Sequence, residues 1–270
     1  MANLTTLPDE ETLARTAAER LTRVIAQAIR RRGHAMVSLT GGRTPRRMYE
    51  LLGDRTQPWR GHIDWARVHL FWGDERHVPP DHPDSNFGMA QKALLDHVHV
   101  PASQVHRIQG ELPDAHDAAR DYERELRNGF KVAGRSDLTF DIMLLGLGED
   151  AHIASIFPGS ELLGRPVQGR PTPAIVGRGF TPRQHSDELV AAVFAPHLKA
   201  WRITLTPPAL LDARLILMLV AGDSKAAAVQ AALEQPLDVS RWPAQLLRDA
   251  EQVEWLVDRA AAARLTDAAQ

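Results

Sequence analysis

Short, mainly apolar segments alternate along this chain with stretches of helical period, and most of the apolar segments end in polar residues rich in glycine or proline. Residues 35–39 (Ala-Met-Val-Ser-Leu), 68–72 (Val-His-Leu-Phe-Trp) and 140–145 (Phe-Asp-Ile-Met-Leu-Leu) read as strands, followed by 202–205, 215–221 and 253–257. Residues 8–32 place Leu13, Ala17, Leu21, Val24 and Ala28 three or four apart, one helical face, with Gly33 as the stop. Segments 45–52, 86–98, 113–128 and 223–233 and the stretch after Asp258 also read as helical. Apolar strands separated by helices predict an α/β fold: a mainly parallel sheet with helices on both faces.

The chain has 270 residues, 44% of them apolar and 24% charged. That composition excludes wholesale disorder. No repeat or long linker divides the chain, so 1–270 is expected to be a single domain. The Pro/Gly-rich stretch 164–182 is the most loop-like part, a flap or an insertion. The net charge of -2 gives no global pull toward nucleic acid or anionic lipid, so any anion site must be local. Without cysteine there is no disulfide, thiolate metal site or cysteine nucleophile. The first residues lack a basic start and an apolar core, and the most apolar stretch is too short to span a bilayer. The expected location is therefore cytoplasmic, away from membranes.

In parallel α/β folds ligands bind at the carboxyl ends of strands, and three polar segments fall there. Thr40-Gly41-Gly42-Arg43-Thr44-Pro45 joins a strand to a helix. Its glycines let the backbone approach a ligand, and the helix start favours an anion. It equally reads as a tight turn, and it is neither a Walker A loop nor a Rossmann fingerprint. Gly73-Asp74-Glu75-Arg76-His77 leaves the second strand either as a solvated loop or as an arginine held by neighbouring acids and aimed at a phosphate or oxyanion. Gly146-Leu147-Gly148-Glu149-Asp150-Ala151-His152 puts an imidazole at a strand end, where it can act as a general base with Asp150 orienting it. Asp150 and His152 also have the look of a metal pair, but no further ligand stands at suitable spacing, so no metal is expected. Lys225, one of only four lysines, opens a helix after Gly222 and suits a phosphate. Together the segments describe a pocket for a small phosphorylated molecule with a histidine for proton transfer.

In this order the motifs resemble the 6-phosphogluconolactonases of the glucosamine-6-phosphate isomerase/6-phosphogluconolactonase family. The resemblance rests on Leu39 to Pro45, on Trp72 to Pro79 with Asp84-Ser85-Asn86, and on Gly146 to Pro158. Arg202-Ile203-Thr204-Leu205-Thr206, Gly222-x-x-Lys225 and Trp255-Leu256-Val257-Asp258 add to it, so that it covers about residues 8–262. It implies a modified Rossmann-like fold and hydrolysis of 6-phospho-D-glucono-1,5-lactone in the oxidative pentose phosphate pathway, without a cofactor. It implies a small phosphorylated sugar lactone as partner, no nucleic acid or membrane, and a monomer or small homo-oligomer. Carried over by position, His152 is the base and Asp150 its neighbour. Arg76 binds substrate or stabilises charge, and Gly41, Gly42, Thr44 and Lys225 hold phosphate. Asp74 and Arg202 complete the substrate set, although a strand-start arginine such as Arg202 can be structural.

Two residues depart from the pattern. Ala151 stands where the family has glycine, at a cost of roughly 1 kcal/mol if that position needs positive φ. Ile153 replaces a threonine, as in the related deaminases. Those deaminases, aldose–ketose isomerases by chemistry, are the rival reading. They usually follow the isoleucine with Ala-Phe-Asn-Glu-Pro, supplying an acid for ring opening, where this chain reads Ala154-Ser155-Ile156-Phe157-Pro158, and they tend to carry tyrosine where this chain has Arg76. A non-catalytic sugar-phosphate sensor on the same fold would keep the phosphate contacts and lose His152.

Overall fold

A computed structural model of the chain describes residues 3–59, 61–164, 188–248 and 250–266. Its strands are β1 (Asn3–Leu7), β2 (Ala35–Leu39), β3 (Val68–Trp72), β4 (Asp74–Arg76), β5 (Ile142–Leu145), β6 (Val190–Ala195), β7 (Ala200–Leu205), β8 (Ile216–Val220) and β9 (Val253–Asp258). Its α-helices are α1 (Glu10–Arg32), α2 (Arg43–Gly53), α3 (Asn86–Ala90), α4 (Ala115–Val132), α5 (Pro207–Leu211) and α6 (Ala226–Leu233). Six strands make a parallel sheet in the order β1-β9-β8-β5-β2-β3. The other three make a small antiparallel sheet in the order β4-β7-β6.

Every residue of β2, β3, β5 and β8 is buried. Successive side chains of a strand point to opposite faces, so burial of all of them means that both faces are covered. The mainly parallel α/β architecture expected from the apolar runs is the one found. Helix α1 follows its sequence signals: Asp9 caps Thr12 N at 2.7 Å, Glu10 and Glu11 occupy the first turn, and Gly33 ends the helix at φ +83°. Leu13, Ala17, Leu21 and Ala28 are buried as expected, while Ile25 rather than Val24 completes the buried face.

Several expectations need correction. Asp74–Arg76 is not a solvated loop: it is β4, paired with β7. The segment 202–205 belongs to this antiparallel sheet rather than to the parallel one. The helical reading of 86–98 breaks after Ala90, where five residues, Gln91–Leu95, widen into a π-turn. Residues 259–266 fold into turns rather than a helix, with the Asp258 carboxylate accepting from Ala261 N at 2.8 Å. Of the loop-like stretch, residues from 165 to 182 lie outside the described residues.

Strand order places the chemistry. From β2 the chain moves to β3 on one side, whereas β5 and β8 extend the sheet on the other. The crevice between β2 and β5 is thus a topological switch point, where ligands bind outside the carboxyl ends of the strands. The segments after β2, β3 and β5 are neighbours there. At the opposite edge a recess of about 500 Å³ is lined by Arg20, Arg32, Arg214 and Asp141 among others. Those three arginines are already paired, Arg20 with Glu254 and the other two with Asp141.

Candidate active site

Gly73 is the corner where the chain leaves one sheet for the other. Its N–H donates to Leu39 O, and its carbonyl accepts from Leu205 N, both at 2.9 Å. Beyond it, β4 lies against β7 with Asp74 opposite Thr204 and Arg76 opposite Arg202. By the two-residue period of a strand, these four side chains share one face. Ser155, from the segment after β5, donates to Asp74 Oδ2 at 2.7 Å and, through its N–H, to Thr204 Oγ1 at 3.3 Å. That face therefore looks onto the turn that carries His152.

His152 Nδ1 lies 2.6 Å from Asp150 Oδ1. A carboxylate can only accept, so the ring's Nδ1–H donates, and in the neutral ring Nε2 carries the lone pair. Burial pushes the Asp150 carboxyl up, but the hydrogen bonds and charge of His152 outweigh it and bring the group down to about 2. The Phe157 ring packs on the imidazole with centroids 4.7 Å apart. Beneath the pair is Gly148, where a Cβ would stand 2.0 Å from His152 Nδ1 and 2.7 Å from Asp150 Oδ1. Only glycine lets the pair sit there. Gly148→Ala is expected to lower kcat by about 10–100-fold, the scale of an ångström-level misplacement. Steady-state kinetics on the purified variant checks this, and an unchanged kcat would mean the pair has room to shift.

Ala151 has φ +62°, so the condition for its strain is met. The methyl group is fully buried, and burying it returns about 0.8 kcal/mol against a left-handed cost of roughly 1–2 kcal/mol. The near balance explains why alanine can stand here.

Arg76 and Arg202 face each other across the antiparallel pair. Like charges directly opposite one another destabilise a sheet. Burial, and then the Arg76 guanidinium, pull the Arg202 ionisation below the usual arginine range. Arg76 donates to the Asp84 carbonyl and Arg202 to the Trp201 carbonyl at 3.0 Å. Arg76 is thus not held by Asp74 and Glu75 side chains, as one reading of the sequence had it. Glu75 instead organises the following loop, accepting from Arg76 N, Asn86 N, Phe87 N and Ser85 Oγ at 2.7–3.0 Å. Burial pushes its carboxyl up against those hydrogen bonds.

The segment after β2, expected from the sequence to hold phosphate, has its own local partners. The space a Gly41 Cβ would fill is taken by Asn86, whose Oδ1 would lie 1.8 Å from it, so this glycine admits a side chain of the protein. Gly42, at φ +115°, precedes α2, whose first turn has no side-chain cap and leaves its N–H groups for an anion. The Thr44 hydroxyl donates to Glu10 at 3.3 Å. Lys225 follows Gly222, and a Cβ at Gly222 would stand 3.4 Å from the Arg43 guanidinium, so the two segments meet. The carboxylate of Asp258 fixes Gly222 N at 3.1 Å.

Sequence reasoning did not find the parts played by Phe157, Ser155, Asn86 and Glu75, although all four lie within the motifs it singled out. Among the described residues no group of three His, Asp or Glu side chains could hold a metal ion, and no helix is long and apolar enough to cross a membrane.

The chain resembles known proteins in sequence and fold. The family model described as glucosamine-6-phosphate isomerases/6-phosphogluconolactonase matches residues 8–255. A 6-phosphogluconolactonase of Synechocystis sp. is 35% identical over 242 residues, 89% of each chain. The solved structure of 6-phosphogluconolactonase from Trypanosoma brucei matches with a TM-score of 0.77 and 26% identity, covering 98% of this chain and 99% of that one. A monomeric glucosamine-6-phosphate deaminase matches with a TM-score of 0.74 at 22% identity over 97% of this chain and 99% of that one, a likeness of fold.

Proposed function

The chain belongs to the family of glucosamine-6-phosphate isomerases and 6-phosphogluconolactonases, and from that membership we propose that it hydrolyses 6-phospho-D-glucono-1,5-lactone to 6-phospho-D-gluconate with His152 as the general base. The observation that carries the mechanism is the 2.6 Å contact between His152 Nδ1 and Asp150, which leaves Nε2 free to accept a proton. Nε2 takes a proton from water as the oxygen adds to the lactone carbonyl carbon. The Asp150 carboxylate stabilises the imidazolium so formed. The guanidiniums of Arg76 and Arg202, opposite each other on β4 and β7, supply fixed positive charge for the oxyanion or the phosphate. On collapse of the tetrahedral intermediate the C1–ring-oxygen bond breaks, and the imidazolium returns its proton to that oxygen, which becomes a hydroxyl. The lactone carbonyl is electrophilic enough that no covalent nucleophile is required. Phosphate is held by Lys225, Gly42 and the open start of α2, with Gly41 and Thr44 shaping that segment.

The segment after Ala154 separates this chemistry from deamination. Ring opening and isomerisation of an amino sugar call for an acid there, whereas this chain presents Ser155, Ile156 and Phe157, all buried. Purified protein is expected to hydrolyse the freshly made lactone in a pH-stat or coupled spectrophotometric assay and to release no ammonia from glucosamine 6-phosphate. Ammonia release at a rate comparable with lactone hydrolysis would assign the deaminase reaction instead. The motif residues and the family fit an enzyme of sugar-phosphate metabolism acting in the cytoplasm on a small diffusible substrate.

A further inference from the structure

The turn that carries His152 is bent where alanine resists bending. Ala151 and Ala154 flank His152 and Ile153 with φ of +62° and +47°, in the left-handed region that a Cβ disfavours. Two such residues within four positions persist only where surrounding contacts over-determine the backbone. Local ties contribute: Gly148 N donates to His152 O, Ala244 N to Ala151 O and Ile156 N to Ile153 O, each at 2.9 Å. These ties fold the turn onto itself and onto the segment at Ala244. None of them fixes its position relative to β4 and β7.

Ser155 does so. It is 1% exposed, and its hydroxyl donates to Asp74 Oδ2 at 2.7 Å while its N–H donates to Thr204 Oγ1 at 3.3 Å. The receiving carboxylate is itself anchored, since Asn86 Nδ2 donates to Asp74 O at 2.9 Å and to Asp74 Oδ1 at 3.2 Å. Asn86 in turn occupies the space left open by Gly41. One buried chain of contacts therefore runs from the segment after β2, through Asn86 and Asp74 at the start of β4, to the segment after β5.

We propose that Ser155 is a positioning residue, whose hydrogen bonds to Asp74 and Thr204 hold the strained 151–154 turn and so set the place of His152 relative to the sheet that carries Arg76 and Arg202. Asp74 acts in this chain of contacts with both carboxylate oxygens engaged, as the acceptor that fixes the base-bearing turn. The proposal rests on His152 being the base.

Ser155→Ala tests it, with His152→Asn assayed in parallel. Ser155→Ala is expected to lower kcat about 10–100-fold, the effect of misplacing a catalytic group, while KM and the calorimetric affinity for 6-phosphogluconate stay within about threefold of wild type. The acid limb of its kcat profile should persist, because the imidazole is still present, whereas His152→Asn should lose that limb. Ser155→Thr, which keeps the hydroxyl, should recover most of the lost kcat. The ring resonances of His152 in nitrogen-15 spectra should shift in Ser155→Ala and return in Ser155→Thr. If Ser155→Ala does not fold, Ser155→Cys, with similar volume and a weak S–H donor, is held to the same kcat and affinity criteria. A Ser155→Ala kcat within about twofold of wild type, with His152→Asn inactive, overturns the positioning role alone. So does a parallel fall of kcat, product affinity and melting temperature, which would mark a merely structural residue. Full activity of His152→Asn overturns the assignment of the base, and with it this proposal.

Discussion

Replacing His152 with alanine is expected to lower kcat for the lactone by about 10²–10⁴-fold, the usual contribution of general acid–base catalysis, with a much smaller change in KM. His152→Asn should do no better, because an amide can hydrogen-bond a water but cannot take its proton. The lactone also opens without enzyme, so rates must be corrected for that background. In the wild type kcat should decline at acid pH as the imidazole takes up a proton, and His152→Asn should lose this limb. Burial raises the Asp150 carboxyl, but the hydrogen bonds and charge of His152 outweigh it and bring the group down to about 2. The sign for stability follows from the same depression. Asp150 favours the folded state above its ordinary value of 3.8, and that contribution is lost as pH falls toward 2. A His152→Ala kcat within about threefold of wild type, far short of the expected loss, would move the proton transfer to another group, with Asp150 and Asp74 the first to examine.

Lys225→Ala is expected to reduce kcat/KM for the phosphorylated lactone by roughly 10–150-fold, the equivalent of about 1.5–3 kcal/mol for a lost charge-assisted hydrogen bond. Among the described residues the Lys225 ammonium has no ion-pair or hydrogen-bond partner, and its turn abuts Arg43 at the start of α2. A cation left unpaired beside an uncapped helix start is what a phosphate would complete. Unphosphorylated gluconolactone is the control, and its hydrolysis should be nearly unaffected. Equal loss on both substrates would mean that Lys225 does not read the phosphate. Thr44→Val should have the smaller effect of the two, since the Thr44 hydroxyl already donates to Glu10.

Much of this arrangement was legible in the residues. The mainly apolar runs at 35–39 and 68–72 became fully buried parallel strands because a strand covered on both faces needs no polar alternation. The Asp9 and Gly33 signals bounded α1 for local reasons that need no tertiary context. The three strand-end segments fell together because loops at the carboxyl edge of adjacent strands must. What the sequence concealed depends on contacts between distant residues. Asp74, Glu75 and Arg76 have little intrinsic preference for a strand, and they form β4 because Gly73 turns them against β7. Gly41 looked like room for a ligand, whereas the room is used by Asn86, a relation no local pattern encodes. Asn3–Leu7 is an edge strand with little apolar content and gave no periodic signal.

The pairing of β1 with β9 bears on how the protein matures. Asn3 meets Glu254 and Leu7 meets Asp258, partners about 250 residues apart in sequence, so this edge of the sheet carries a large loop-closure entropy and is expected among the late events of folding. Asp258 ends that same strand, and its carboxylate holds Gly222 and thus the turn leading to Lys225. The adjacent strands β2, β3 and β5, which lead into β4 with Arg76 and into the turn with His152, are separated by shorter stretches of chain. The turn before Lys225 is thereby tied to β9, the strand on which β1 docks, so the outermost strand covers the flank of the sheet that holds this turn.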